Sequence, residues 1–287
     1  MAGNLELVKK LREESGAGFL ACQKALQEAN NDYDKAYDIL RKQGILKASS
    51  KTDRVASEGL VGVKMNGSGI AIVKLNCETD FVAKNEKFQA LLEDILFEAL
   101  DNQTITIDEL LSCSHNEKSI KDLITENIAI IGENIVIGEV VYKDIAEGQT
   151  ASYYVHNKID GKENMGRIVS ANISNNVIND DAKLLTKQIN MHIAAMSPIA
   201  LDEKSISEDI LIREKNIYKE QVDKLNKPAD IAEKMIEGKM RKFYEENVLL
   251  KQIFILDNKN SVENVIKEFN KKNSCNLSII SFARVAI

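Results

Sequence analysis

Apolar residues recur at helical spacing from the start of the chain. Leu5, Val8 and Leu11 mark a first helix, which Gly16 and Gly18 break. A second helix carries Phe19, Leu20, Ala25, Leu26 and Ala29 and stops near Asn30-Asn31. A third opens at Asp32, whose side chain suits an N-cap, and passes through Ala36, Tyr37, Ile39 and Leu40 to Gly44, read as its C-terminal stop. These helices predict a compact three-helix module over residues 1–47. From Lys47 to Arg54 the sequence turns polar and loses its rhythm, which predicts a linker over 48–58.

The period then shortens to that of strands. Leu60, Val61 and Val63 lead to Asn66-Gly67, a strong hairpin signal, and the return strand runs from Ile70 to Leu75. A helix follows through Phe88, Leu91, Leu92, Ile95, Leu96 and Leu100, then a second from Ile120 to Ile131 and a strand from Ile135 to Tyr142. The order recurs: strands at Ser152–Val155 and Ile168–Ile173 flank a polar loop, Asn157–Asn164, and a helix covers Asp180–Met196. Pro198 and Pro228 frame a charged segment with a narrow stripe, Leu211, Tyr218, Val222 and Leu225, which favours a protruding helical hairpin inserted at 198–227. Pro228 suits the first turn of a helix with Ile231, Met235, Met240 and Phe243. A helix from Ser261 to Phe269 and a strand from Leu277 to Val285 close the chain. The predicted class is α+β. A three-helix bundle precedes two similar α+β subdomains with small antiparallel sheets, over 59–143 and over 144–197 with 228–287.

Composition narrows what such a scaffold does. Of 287 residues, 44% are hydrophobic and 29% charged, as in a soluble globular protein. A net charge of −6 disfavours broad binding to a phosphate backbone, and 5% aromatics with no Trp disfavour a base-stacking surface, so no nucleic-acid partner is expected. No apolar run is long enough for a membrane span, and Met1-Ala2-Gly3-Asn4 leads into a charged amphipathic segment unlike a signal peptide. Cys22, Cys77, Cys113 and Cys275 are far apart and read as reduced thiols of a cytoplasmic protein. No phosphate loop and no spaced metal ligands occur, so neither nucleotide, metal nor cofactor binding is expected. A hydrolase built on Cys77, Asp80 and one of His115, His156 or His192 lacks anything to bring a histidine to the thiol. The chain therefore reads as non-enzymatic.

The informative stretch is Asn76-Cys77-Glu78-Thr79-Asp80-Phe81-Val82-Ala83-Lys84-Asn85, between a strand and a helix. Locally, Thr79 or Asp80 would cap the helix and Phe81 would pack underneath. Alternatively, a turn on a rigid base presents its side chains outward.

Here the sequence resembles the bacterial and organellar elongation factor Ts family. The similarity lies in Leu7-Val8-Lys9-Lys10-Leu11-Arg12 with Ser15-Gly16-Ala17-Gly18 and Cys22-Gln23-Lys24-Ala25-Leu26. It also lies in Thr79–Val82 with Ala83-Lys84, and in Asp230–Met240 supported by Met191-His192-Ile193-Ala194-Ala195. The resemblance implies a guanine nucleotide exchange factor for elongation factor Tu, whose N-terminal module looks like a ubiquitin-associated domain and contacts the GTPase. It implies that Thr79, Asp80, Phe81 and Val82 form the turn that dislodges Mg²⁺ from the partner, and that Arg12, Phe19 and Leu20 belong to the N-terminal contact. Phe19-Leu20 stand where the family often has methionines, which keeps the apolar character. His156 lies near where some members place a histidine that assists exchange, its alternative being a solvated loop residue. Arg284-Val285-Ala286-Ile287 ends on a strand where some members continue into a contacting helix. The other function class is an adaptor that binds the same partner without exchange.

Overall fold

The structure is a computed structural model and describes residues 2–15, 17–225 and 228–287. Gly16, read as a helix break, lies outside them. The chain divides into two compact units. One is Met1–Asp144 with Asn157–Val169 and Val285–Ile287; the other is Ile145–His156 with Ser170–Arg284.

The first unit opens with α1 (Ala2–Ser15), α2 (Phe19–Glu28) and α3 (Tyr33–Ser49). Val8, Leu11, Cys22, Ala25, Leu26, Ala36 and Leu40 fill the space between them. Asn30 and Asn31 turn the chain with φ of 51° and 63°. Asp32 then accepts the Lys35 amide at 3.1 Å, the expected N-terminal contact of α3. Gly44 does not end α3, which continues to Ser49. A Cβ at Gly44 would lie 3.3 Å from that of Ala129, so the missing side chain admits a neighbouring helix. That packing offsets the roughly 1 kcal/mol a helical glycine costs. Ala48, just beyond, is buried in the main core of this unit. The residues that follow are not a free linker either: the Asn134 side-chain amide donates to the carbonyls of Thr52 and Arg54 at 3.3 and 2.8 Å.

β1 (Glu58–Met65) and β2 (Gly69–Cys77) form the expected hairpin, with Met65 opposite Ile70. Neither Asn66 nor Gly67 has a positive φ. The Asn66 carboxamide instead accepts the Ser68 and Gly69 amides at 2.9 Å each and closes the turn. After α4 (Asp80–Ala83), α5 (Glu86–Asp101) buries Phe88, Leu91, Leu92, Ile95, Leu96 and Leu100 in the main core with Leu60, Val73 and Leu75. α6 (Ile107–Ser112), the short strands β3 (Ser114–His115) and β4 (Lys118–Ser119), and α7 (Ile120–Ile131) follow. Ala129, the neighbour of Gly44, lies on α7. β5 (Val136–Asp144) runs antiparallel to β2.

The second unit takes up the chain at β6 (Gln149–His156). The polar loop after it returns to the first unit, where β7 (Met165–Gly166) pairs antiparallel with Val61 and Gly62 of β1, giving the order β5-β2-β1-β7. The expected boundary at 143/144 is therefore too simple, because residues 157–169 complete the first sheet. β8 (Ile168–Asn175) lies between β6 and the closing strand β9 (Ser278–Ala286), and α8 (Asp180–Met196) follows β8. Ser170, Asn172 and Ser174 of β8 are buried. Ser170 donates to the Asn190 carbonyl at 2.7 Å, and Asn172 to the Thr186 carbonyl and the Asn190 side chain at 2.8 Å each. The Asn190 amide group donates in turn to Ser152 at 2.9 Å. A buried network of this kind is tolerable only because its members have partners.

α9 (Glu208–Asp223) packs against α10 (Ala229–Asn247), and Pro228 is the N-cap of α10. The helical pair therefore extends beyond 198–227, since its second arm is α10. Leu211 and Tyr218 of one arm meet Met240, Phe243 and Tyr244 of the other, so the apolar stripe runs past Pro228. α11 (Val262–Asn273) contributes Val262 and Ile266 to a core with Leu185, Ile189, Ile193, Phe254 and Leu277.

Candidate functional site

β2 ends at Cys77, and Thr79 is the N-cap of α4, with an extended backbone and a hydroxyl that accepts the Val82 amide at 3.4 Å. Thr79 rather than Asp80 is thus the cap. Asp80 is the first helical residue and pairs with Lys84 at 2.9 Å; the lysine hydrogen bond holds its carboxyl below the usual carboxylate range. Phe81 does not pack underneath, because it is 79% exposed. The turn is instead seated by its neighbours: Val82 packs against the main core and Ala83 is buried in it. This follows from helical geometry, in which adjacent residues point about 100° apart, so inward Val82 and Ala83 leave Phe81 outward.

The strand end is tied down across the sheet. One oxygen of Glu133 accepts the amides of Glu78 and Thr79 at 3.0 Å each, and the other accepts the Thr79 hydroxyl at 2.6 Å. Glu78 reaches the opposite way and accepts the Asn134 amide at 2.7 Å, with Arg54 at 3.6 Å from the same carboxylate. Sequence reasoning missed Glu133, Asn134 and this use of Glu78. The available signal was the Gly-Glu-Asn run between a helix and the strand beside β2, but nothing local ties it to a turn 54 residues away.

Arg12 is exposed in the last turn of α1. Phe19 and Leu20 are the first two residues of α2, 39% and 70% exposed. They form an apolar surface on the three-helix bundle, whereas Thr79–Val82 sits at the β2–α5 junction. No hydrogen bond or ion pair joins the two groups among the described residues. His156, at the end of β6, is exposed and lies 3.1 Å from the Tyr154 hydroxyl through Nδ1.

The thiol of Cys77 is buried, donates to the Thr79 carbonyl at 3.1 Å, and is pushed up to about 12, first by burial and then by the charge of Glu133. It is held protonated, the wrong state for a nucleophile. The buried imidazole of His192 lies 2.9 Å from the Gln252 side-chain oxygen, and its Nδ1 accepts the Ile255 amide at 3.3 Å. His115 lies 2.8 Å from Glu98 and 3.5 Å from Asp94. Among the described residues no group of three or more His, Cys, Asp or Glu could hold a metal ion, and no helix is long and apolar enough to cross a membrane.

Small sheets, a three-helix bundle and a capped turn displaying one phenyl ring define a mixed helix–sheet scaffold, and comparison with known proteins places that scaffold among translation elongation factors. The family model described as Elongation factor TS matches residues 78–287. An elongation factor Ts of Nitratiruptor sp. is 42% identical over 99% of this chain and 92% of its own length. Those of Paramagnetospirillum magneticum and Ehrlichia ruminantium (strain Gardel) are 39% and 38% identical over 98% of this chain, covering 90% and 98% of their own lengths. The chain belongs to the elongation factor Ts family.

Proposed function

We propose that this chain is a guanine nucleotide exchange factor that binds elongation factor Tu·GDP, dislodges Mg²⁺ and promotes GDP release. The observation that carries the reading is Phe81, a large apolar ring 79% exposed on a turn whose base is fixed. Left mostly in water, such a ring contributes little to its own fold, whereas burial in a partner contributes about 1.5–3 kcal/mol. Mg²⁺ bridges phosphate oxygens and protein ligands and neutralises charge at the nucleotide. A phenyl ring wedged beside it holds the site's walls apart while Asp80 disturbs the polar network.

A thousandfold faster release requires lowering the barrier by about 4 kcal/mol, more than the ring supplies. The rest comes from a wider docking surface that prefers the nucleotide-open GTPase, including Arg12, Phe19 and Leu20 on the bundle. Linkage then requires nucleotide to weaken factor binding in return. His156, exposed at a strand end, is a further contact in this reading. The chain itself performs no covalent chemistry, binds no nucleotide and works in the cytoplasm. Release of fluorescent GDP from elongation factor Tu, with and without this protein, tests the reading. Binding without faster release would make it an adaptor instead.

A further inference from the structure

The turn that displays Phe81 is fixed from a remote point of the chain. The β2–β5 ladder ends where Asn76 faces Val136, so the next amides, of Glu78 and Thr79, have no strand to bond. Backbone donors this near a core need partners, or the turn adopts another conformation. Glu133 supplies them, one oxygen taking both amides at 3.0 Å and the other taking the Thr79 hydroxyl at 2.6 Å. That hydroxyl accepts the Val82 amide, so clamp and cap are successive links of one chain of hydrogen bonds. Gly132, left-handed at φ 93°, ends α7 and turns the backbone towards the clamp. Asn134 is anchored in turn to the Thr52 and Arg54 carbonyls. The four residues of α4 are too few to hold a helix unaided, so its geometry depends on these fixed ends.

We propose that Glu133 is a positioning residue for nucleotide exchange: its carboxylate fixes the Thr79 end of the turn so that the Phe81 ring enters the partner in one orientation. The inference rests on the exchange reading above. A ring on a loose turn spends part of its contact free energy on being ordered, whereas a ring on a held turn does not. The loss on releasing the clamp falls on the rate at which bound factor expels GDP. Affinity changes less, because Arg12, Phe19, Leu20 and the rest of the docking surface are untouched.

Stopped-flow release of fluorescent GDP from elongation factor Tu, run over a range of concentrations of the full-length factor, tests this. Glu133→Ala, and Glu133→Asp, which keeps the charge but is one methylene short, should lower the maximal release rate about tenfold or more while moving the half-saturating concentration less than about threefold. Glu133→Gln keeps an oxygen for the two amides and offers an N–H to the Thr79 hydroxyl, and should stay within about threefold of wild type. Hydrogen exchange at the Glu78 and Thr79 amides of the free protein should quicken in the Ala and Asp variants and not in the Gln variant. If Glu133→Ala fails to fold, the charge-preserving Asp variant carries the test. Wild-type release rates in a folded Ala or Asp variant, or a loss confined to affinity, would overturn the positioning role and leave exchange standing. A wild-type protein that does not accelerate release overturns the exchange reading itself, and this role with it.

Discussion

Replacing Phe81 with alanine separates what the ring does for its own chain from what it does to a partner. Full burial of a phenyl side chain is worth about 1.5–3 kcal/mol. With 79% of Phe81 exposed, its own chain keeps about a fifth of that, roughly 0.3–0.6 kcal/mol. The melting temperature of Phe81→Ala should therefore fall by only about 1–2 °C. Phe88, fully buried in the first turn of α5, sets the contrast, since truncating such a residue costs about 3–5 kcal/mol. At the partner, losing about 1.5–3 kcal/mol at the release barrier slows stimulated GDP release by roughly tenfold to 150-fold. Thermal unfolding and stopped-flow release on the same preparation measure both quantities. A Phe81→Ala protein that melts normally and still accelerates release like wild type would remove the turn from the mechanism. A large fall in melting temperature would instead show that the ring belongs to this chain's own core.

The remaining expectations concern what holds the turn and the two units. Thr79→Ala should lose about 0.5–2 kcal/mol of stability with its cap, while Asp80→Ala, which removes only an exposed ion pair with Lys84, should leave denaturant unfolding unchanged; equal losses would contradict the assignment of the cap. Deleting residues 1–47 cuts inside α3 and uncovers Ala48 and the Ala129 face of α7, so the product should bind a hydrophobic dye and melt earlier than the whole chain. Normal melting without dye binding would show that the bundle lends nothing to the rest of its unit. Burial holds the His192 imidazole below its usual range, so the unfolded chain takes up a proton first as pH falls. His192 should then contribute full stability above about pH 6.5 and progressively less below it, and His192→Gln should flatten that part of the profile. An unchanged profile would show that the site takes up its proton without strain.

Legibility followed the range of the interaction responsible. The Thr79–Val82 turn stood out because the apolar period changes from that of a strand to that of a helix across it, a local signal. The same local reasoning failed at Gly44, where intrinsic preference says stop but Ala129 of α7 packs against the gap left by the absent side chain. Local reasoning is equally silent on Ser170, Asn172 and Ser174, buried polar residues of β8 whose partners are on α8 and β6. The helical pair starts and ends later than the two prolines suggest, because its stripe of Leu211 and Tyr218 continues through Met240 and Phe243, with only Pro228 to mark a boundary.

The sequence by itself determined the order of helices and strands, the position of the turn between β2 and α5, and, through motifs spread along the chain, the family. Those properties depend on periodicity, caps and residue identities, which are written in consecutive residues. Which way Phe81 faces, which residue caps α4, and what fixes the strand end were decided only in the tertiary structure. Each depends on a buried neighbour or a remote partner: Val82 and Ala83 settle inward on the core, and the Glu133 carboxylate arrives from 54 residues away. An amide at a strand end takes whatever acceptor the fold brings within 3 Å, and the chain between them carries no local trace of that meeting.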